Sequence, residues 1–136
     1  MPELHSDINV RDAGPDDAPV WEAMRRELWP DGLESHAKEI AMYFAGTLQE
    51  PAAVLMAESR TDGIVGFVEL SIRVDVRGFE GKQVGYVEGL FVRPRLRHRG
   101  VARKLLQTAR SWAHDQECAG FATDRAGRII TDNCFV

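Results

Sequence analysis

The sequence predicts an α/β protein (α+β in some schemes) that folds as one domain over residues 1–136. A chain of 136 residues has the length of one domain, and no linker, internal repeat or low-complexity segment divides it. Apolar residues alternate along some segments and recur every three or four residues along others, which predicts the element order β-α-α-β-β-β-α-β. Shares of 44% hydrophobic and 28% charged residues are typical of a soluble globular protein.

The first elements have recognisable boundaries. Ile8–Ala13 alternates apolar and polar residues and predicts a strand. A helix is expected to start at Gly14-Pro15-Asp16-Asp17, because proline suits the first helical position and carboxylates suit the positive end of the helix dipole. Trp29-Pro30-Asp31-Gly32 would end it, and a second helix is predicted over Ser35–Ala45. The apolar face of the first helix consists of Val20, Trp21, Met24 and Leu28.

The later elements follow from the same patterns. Ser59–Gly63 has the composition of a turn, so the strands on either side are expected to form a hairpin. Arg77–Lys82, which contains two glycines, predicts a loop. The apolar face of the last predicted helix consists of Val101, Leu105, Ala109 and Trp112. The remaining predicted elements are strands over Ala52–Glu58, Ile64–Val76, Gln83–Val92 and Ala119–Asp124, and that helix, over Gly100–Gln116.

Positive charge is concentrated in one short segment. Residues 1–92 contain 8 lysines and arginines against 17 acids, whereas residues 93–110 contain 7 lysines and arginines and no acid. A solvated basic helix face would explain such a run. A mainly acidic body with one basic segment would also suit two ligands of opposite charge.

Several classes of protein are disfavoured. The overall net charge of −4 is unusual for a general nucleic-acid binder. No segment has the apolar length of a membrane span, and the N-terminus does not resemble a signal peptide, so we expect a cytoplasmic protein with no membrane partner. Cys118 and Cys134 do not combine with histidines in a metal-like spacing, so no metal site is predicted and both cysteines are expected to be free thiols.

The basic segment includes a turn between a strand and a helix. A helix that begins at Gly100 presents unpaired N–H groups and a partial positive charge, and Arg97, His98 and Arg99 precede it. Glycine allows the backbone to approach a ligand closely, and Ala102 adds little bulk. The turn therefore predicts a pyrophosphate site, although neither GxxxxGK[ST] nor GxGxxG is present.

This turn resembles the signature of a known superfamily. Arg97-x-x-Gly100-x-Ala102 is similar to the Q/R-x-x-G-x-G/A motif of the GNAT acetyl-CoA-dependent N-acetyltransferases, and the element order resembles theirs over about residues 8–124. Within the superfamily the chain is most like the aminoglycoside 6'-N-acetyltransferases. The pieces that carry this narrower resemblance are LWP (Leu28–Pro30), SIR-D (Ser71–Arg73 and Asp75), VEGLFV (Val87–Val92), RHRGVARKLL (Arg97–Leu106) and FATD (Phe121–Asp124).

The resemblance implies a fold and a cosubstrate. The fold is the GNAT-like acyl-CoA N-acyltransferase fold, a central mixed and largely antiparallel sheet flanked by helices, here with shortened C-terminal strands. The cosubstrate is acetyl-CoA, whose pantetheine arm would pair with one strand, while Ala119–Asp124 would splay from that strand and leave a slot for the thioester. The implied coenzyme-binding residues are Leu90, Phe91, Val92, Arg97, His98, Arg99, Gly100, Val101 and Ala102.

The resemblance also implies an amine site formed by Trp29, Glu88 and Asp124. Glu88 would accept the proton of the amine, and acetyl transfer would be direct, within a ternary complex. Each residue also has a structural explanation: Trp29 would close a core helix, Glu88 would pair with Arg73, and Asp124 would simply end a strand. His36 is expected on a helix surface rather than in the substrate cleft.

The resemblance stops after Asp124. Either the gene is truncated or frameshifted there, or a partner subunit supplies the final strands. The last predicted strand would then have an unpaired edge, which favours a homodimer, although Ile129–Ile130 and Cys134–Val136 would also suit an unorthodox closing strand.

The leading functional hypothesis is acetylation of the 6'-amine of an aminoglycoside, a polycation and antibiotic that an acidic body would attract. The alternatives are a GNAT enzyme that acts on a polyamine or a peptide, and a non-catalytic protein that binds acetyl-CoA.

Overall fold

A computed structural model of the chain describes residues 7–125 and 128–132, with side chains for residues 7–32 and 35–123. Short 3₁₀ turns at Pro15–Asp17, Pro30–Gly32 and Pro94–Leu96 precede the three α-helices. The helices are α1 (Ala18–Leu28), α2 (Leu33–Phe44) and α3 (Val101–Asp115). The strands are β1 (Ile8–Asp12), β2 (Ala53–Ser59), β3 (Gly63–Arg73), β4 (Val84–Val92), β5 (Gly120–Arg125) and β6 (Arg128–Asp132).

The strands form one six-stranded sheet in the order β1-β2-β3-β4-β5-β6. Every neighbouring pair is antiparallel except β4 and β5, which are parallel because α3 crosses between them. The predicted mixed, largely antiparallel sheet flanked by helices is therefore confirmed.

Helix α3 covers one face of the sheet. Its spacing of four residues buries Val101, Leu105, Ala109 and Ala113 in the larger core cluster. The predicted face is confirmed: Trp112 is partly buried and packs against the same cluster, and Ala113, which was not predicted, is its fully buried neighbour. The helix lies very close to the sheet at this point: a Cβ added at Gly85 would lie 2.5 Å from the Cβ of Ala113.

Helices α1 and α2 contribute the second core cluster. Trp21 and Met24 are buried there together with Ile40 and Phe67, while Leu28 is partly buried. The prediction of an apolar face on the first helix is confirmed for Trp21 and Met24. Asp17 stabilises the entry to this helix, because its carboxylate accepts hydrogen bonds from the Gly14 amide at 2.8 Å and from Arg11 at 2.7 Å.

The C-terminal edge of the sheet differs from the sequence prediction. β5 was expected to leave its outer edge unpaired, but β6 pairs with it antiparallel, with Asp124 opposite Ile129 and Thr123 opposite Ile130. The expected unpaired edge at β5 is wrong, and the alternative of a closing strand at Ile129–Ile130 is confirmed. Residues 133–136, including Cys134, lie outside the described residues.

Candidate active site

The sheet opens at Glu88. In the pairing of β3 with β4, Glu69 lies opposite Gly89 and Leu70 lies opposite Val87, so Glu88 is an extra residue in a β-bulge. The parallel pairing of β4 with β5 also ends at Val87, opposite Thr123. Bulges bend a strand and change the direction of a side chain. Glu88 is therefore placed where β4 separates from β5, and the predicted splay is present.

A cavity of about 460 Å³ lies at this opening. Glu88 and Arg73 supply its charged groups, and Leu106 of α3 reaches it from the other face of the sheet. The cavity therefore passes between the separated strands. Its complete lining consists of Arg73, Tyr86, Val87, Glu88, Gly89, Leu90, Leu106 and Thr123.

Glu88 is ion-paired. Arg73 donates from Nε to Oε2 at 2.8 Å and from Nη2 to Oε1 at 2.9 Å, and the Ser71 hydroxyl donates to Oε2. Burial by itself would raise the pKa of Glu88, but the hydrogen bonds from Arg73 and Ser71 and the charge of Arg73 outweigh it and hold the pKa below its ordinary value. The pairing with Arg73, one of the two interpretations of Glu88, is present in the structure.

A second cavity, of about 610 Å³, lies along β4 and the start of α3. It adjoins the first cavity, because Leu90 lines both. Of the predicted coenzyme-binding residues, Arg99 and Val101 do not line it, and the Val101 side chain is buried in the core. Leu28 and Arg103 line it without having been predicted. The predicted residues that do line it are Leu90, Phe91, Val92, Arg97, His98, Gly100 and Ala102.

The turn into α3 presents a row of backbone donors. The first helical hydrogen bond is donated by Lys104 to Gly100 at 3.1 Å, and within the described part of the chain no acceptor is found for the amides of residues 98–102. Positive φ angles of 63° at His98 and 90° at Gly100 make the turn tight. The Arg97 amide is not among these donors, because it donates to the Pro94 carbonyl at 3.3 Å. The exposed donors therefore begin at His98.

Arg97 contributes its side chain instead. Its Nε donates to the Val92 carbonyl at 2.8 Å, and its guanidinium lies 5.7 Å from the centre of the Phe91 ring. Arg99 has a buried Nε for which the described residues provide no hydrogen-bond partner. A cavity with bare amides, Arg97, His98 and Arg103 fits a diphosphate. No described strand pairs with this edge of β4 beyond Val87, and the edge fits an extended amide-bearing chain.

Trp29 lies beside the first cavity without lining it. A Cβ added at Gly89 would lie 2.5 Å from two atoms of the Trp29 ring, so this ring rests against the backbone next to Glu88. The backbone carbonyl of Trp29 lies 2.9 Å from His36 Nε2. The expectation of a surface histidine is wrong, because His36 is 2% exposed.

Asp124 is described only by its backbone, in the part of β5 that lies beyond the pairing with β4. Its side chain lies outside the described part of the structure. The predicted substrate contact of Asp124 therefore stays a prediction.

A buried polar network beneath Trp29 was not predicted. Glu69 accepts hydrogen bonds from Trp21 Nε1 at 2.9 Å, from Arg25 Nε at 2.7 Å and from Arg25 Nη2 at 2.9 Å. Arg25 Nη1 also lies 3.1 Å from His36 Nδ1. Because arginine can only donate and a carbonyl can only accept, His36 accepts at Nδ1 and donates from Nε2.

None of the described helices is long and apolar enough to cross a membrane. Among the described residues, no group of three or more His, Cys, Asp or Glu is placed to hold a metal ion.

The fold and the two adjoining cavities define the class of the protein as an acetyl-CoA-dependent N-acetyltransferase. The chain belongs to the acetyltransferase (GNAT) family, whose model matches residues 21–128.

The curated relatives that match the chain share one name. The chain is 40% identical over 116 residues to an aminoglycoside N(6')-acetyltransferase type 1 of Klebsiella aerogenes, covering 85% of this chain and 76% of that protein. It is 35% identical to a protein of the same name from Stenotrophomonas maltophilia, in a match that covers 85% of this chain and 73% of that protein. Among solved structures, AAC(6')-Iy in complex with the bisubstrate analog CoA-S-monomethyl-acetylneamine is 29% identical, with a TM-score of 0.75 and coverage of 88% and 80%.

Proposed function

We propose that the protein is an aminoglycoside 6'-N-acetyltransferase, which transfers acetyl from acetyl-CoA to the 6'-amine of an aminoglycoside. The observation that carries the proposal is the junction at Leu90. There the second cavity, which is rich in donors, meets the first cavity, which holds a carboxylate and lies where two strands separate. This arrangement suits a thioester on one side and an amine on the other. The similarity to a protein that binds a bisubstrate analog of CoA and neamine supports the same arrangement.

The residues divide the reaction between the two cavities. The amides of residues 98–102, with the side chains of Arg97 and Arg103, would hold the diphosphate of acetyl-CoA. The backbone of Leu90 and Phe91 would orient the acetyl group, and one of their amides would polarise its oxygen. Glu88 would hold the ammonium group and accept its proton, directly or through water, before direct attack in the ternary complex. Trp29 and Asp124 would orient the amino sugar.

Thiol release from acetyl-CoA tests the proposed reaction. The purified protein is assayed with kanamycin, tobramycin, spermidine, a peptide with a free N-terminus, and no amine. We expect release mainly with the aminoglycosides and a product acetylated at the 6'-amine by NMR. Release with spermidine or peptide alone would assign the enzyme to another amine. Calorimetric binding of coenzyme A without release for any amine would assign a non-catalytic protein.

Arg97→Gln tests the coenzyme site separately, with Arg95→Gln as its matched control. Arg97 lines the second cavity, whereas Arg95 is exposed and lies 3.4 Å from Asp62 on the surface. We expect Arg97→Gln to weaken coenzyme A binding by roughly tenfold, because a charge-assisted hydrogen bond is lost. The difference from wild type should narrow at high salt. Equal effects of the two substitutions would contradict the assignment.

We also propose a cytoplasmic homodimer that confers resistance to aminoglycosides. Among the described strands β6 has only β5 as a neighbour, so its outer edge offers backbone groups to a second copy. Light scattering should give twice the mass of one chain, and a folded monomer would contradict the dimer. Expression in a susceptible bacterium should raise the inhibitory concentration of kanamycin, and Glu88→Gln should abolish that increase.

A further inference from the structure

The carboxylate of Glu88 is already occupied by a cation. Arg73 binds both of its oxygens in a two-pronged arrangement, and the Ser71 hydroxyl binds one of them as well. A bidentate arginine takes the most favourable directions of a carboxylate. An ammonium group therefore cannot reach the same positions until at least one of the Arg73 contacts breaks.

The Arg73 side chain is placed where it can separate from the Glu88 carboxylate. Arg73 is the last residue of β3, it lines the first cavity, and 35% of its side chain is exposed. Its guanidinium lies 4.2 Å from the centre of the Tyr86 ring, which holds it over the cavity wall. An ion pair whose side chains are 35% and 24% exposed contributes about 1 kcal/mol or less to stability, so its exchange for another cation costs little.

A second acid lies close to Arg73. Asp75 follows it by two residues, is exposed, and acts on Arg73 through its negative charge. A guanidinium displaced from Glu88 would therefore keep a favourable electrostatic partner outside the cavity.

We propose that Arg73 is an internal cation in the amine subsite, and that an acceptor amine binds Glu88 by displacing it. This inference rests on the proposed function. While Arg73 is bound, its charge and that of Glu88 cancel. The subsite then attracts only an amine that can compete with a guanidinium. A polycation has the advantage here, because its other ammonium groups gain energy from the acidic body at the same time.

Arg73→Gln tests the exchange, with Arg77→Gln as its matched control. Both substitutions remove one positive charge, but Arg77 is exposed in the loop after β3 and does not line either cavity. Calorimetry measures the binding of kanamycin, and separately of spermidine, to each protein saturated with coenzyme A. Arg73→Lys is a second variant, which keeps the charge and loses the two-pronged contact. The coenzyme A affinity of each variant shows that it is folded.

Arg73→Gln should bind the amine up to about fivefold more tightly than wild type, because a competing ion pair worth at most about 1 kcal/mol is gone. The amine affinity of Arg73→Lys should lie between those of wild type and Arg73→Gln. The amine affinity of Arg77→Gln should stay within about twofold of wild type, because an exposed charge acts weakly through solvent. Weaker binding of the amine by Arg73→Gln, or an increase in affinity equal to that of Arg77→Gln, would overturn the proposed displacement of Arg73. Failure of both amines to bind any of the proteins would also overturn it. The proposed function fails on a different result: tighter binding of spermidine by Arg73→Gln, with no acetylation of kanamycin by wild type.

Discussion

Two arginine–glutamate pairs contact strand β3 and differ mainly in burial. Arg25 and Glu69 have side chains that are 7% and 3% exposed, whereas Arg73 and Glu88 are 35% and 24% exposed. In both pairs the guanidinium donates from Nε and Nη2 to the two carboxylate oxygens. The same chemistry therefore occurs once inside the core and once on the wall of a cavity.

Burial decides what each pair can do. The charges of Arg25 and Glu69 have lost their water, and every change to one of them leaves the other charge without compensation. Trp21, His36 and Glu39 also contact this pair, so it is fixed from several sides. Water can replace either partner of Arg73–Glu88, so this pair can open during a reaction. The buried pair suits a structural role, and the accessible pair suits binding and proton transfer.

The largest expected effect is the loss of activity in Glu88→Gln. The amide keeps an oxygen for Arg73 but can neither hold an ammonium by charge nor accept its proton. We expect kcat/KM to fall roughly 100- to 10,000-fold, the range typical of a lost general base. The free energy of unfolding in urea should change by less than about 1 kcal/mol. Coenzyme A affinity should stay at the wild-type value, and a parallel loss of coenzyme binding would contradict the role of Glu88.

Arg25→Met should have the largest effect on stability. It leaves Glu69 buried without its cation, so the free energy of unfolding should fall by about 3–5 kcal/mol. Arg73→Met, the same substitution in the accessible pair, should cost about 1 kcal/mol or less. Urea unfolding of both variants gives the comparison. Similar losses would show that burial does not distinguish the two pairs.

Gly89→Ala probes the residue that lies between the two pairs. Gly89 is opposite Glu69 and next to Glu88, and an added Cβ would lie 2.5 Å from the Trp29 ring. The ring must shift, so we expect the KM for the aminoglycoside to rise and the free energy of unfolding to fall by about 1–3 kcal/mol. In a Trp29→Ala background the same substitution should cost much less, because the clash is absent. Additive effects would show that Trp29 and Gly89 act independently.

The sequence predicted the order of the elements better than their pairing. Apolar periodicity placed Trp21 and Met24 in the core and located α3, because both depend on residues close together in the chain. The bulge at Glu88 depends on how β3 and β4 pair across the loop between them, and an apolar pattern along one strand does not show where an extra residue interrupts that pairing. The strand β6 is short and was predicted only as an alternative, since five residues give a weak periodic signal.

The same distinction applies to the site. The turn at Gly100 was predicted because its charges and its helix start are local, and Glu88 was found through the resemblance. The burial of His36 was missed, because its partners lie on α1 and in the turn after it. Signals for the buried pair existed: Arg25 follows Trp21 by four residues on the apolar face of α1, and Glu69 interrupts an apolar strand. A charge in such a position predicts a buried partner.

The smallest expected effect is a shift in the pH dependence that the accessible pair controls. Arg73 and Ser71 lower the pKa of Glu88 despite its burial, so the contribution of this pair to stability is complete above the ordinary glutamate value of 4.5 and is lost as the pH falls through the lowered pKa. The acid limb of kcat/KM in wild type should therefore lie below that value. In Arg73→Gln the charge that lowers the pKa of Glu88 is missing, while burial still raises that pKa. The acid limb of kcat/KM should therefore move to higher pH, whereas Arg77→Gln should leave it in place. An unmoved limb in Arg73→Gln would mean that a different group controls it, because Arg73 is the charged partner that the structure gives to Glu88.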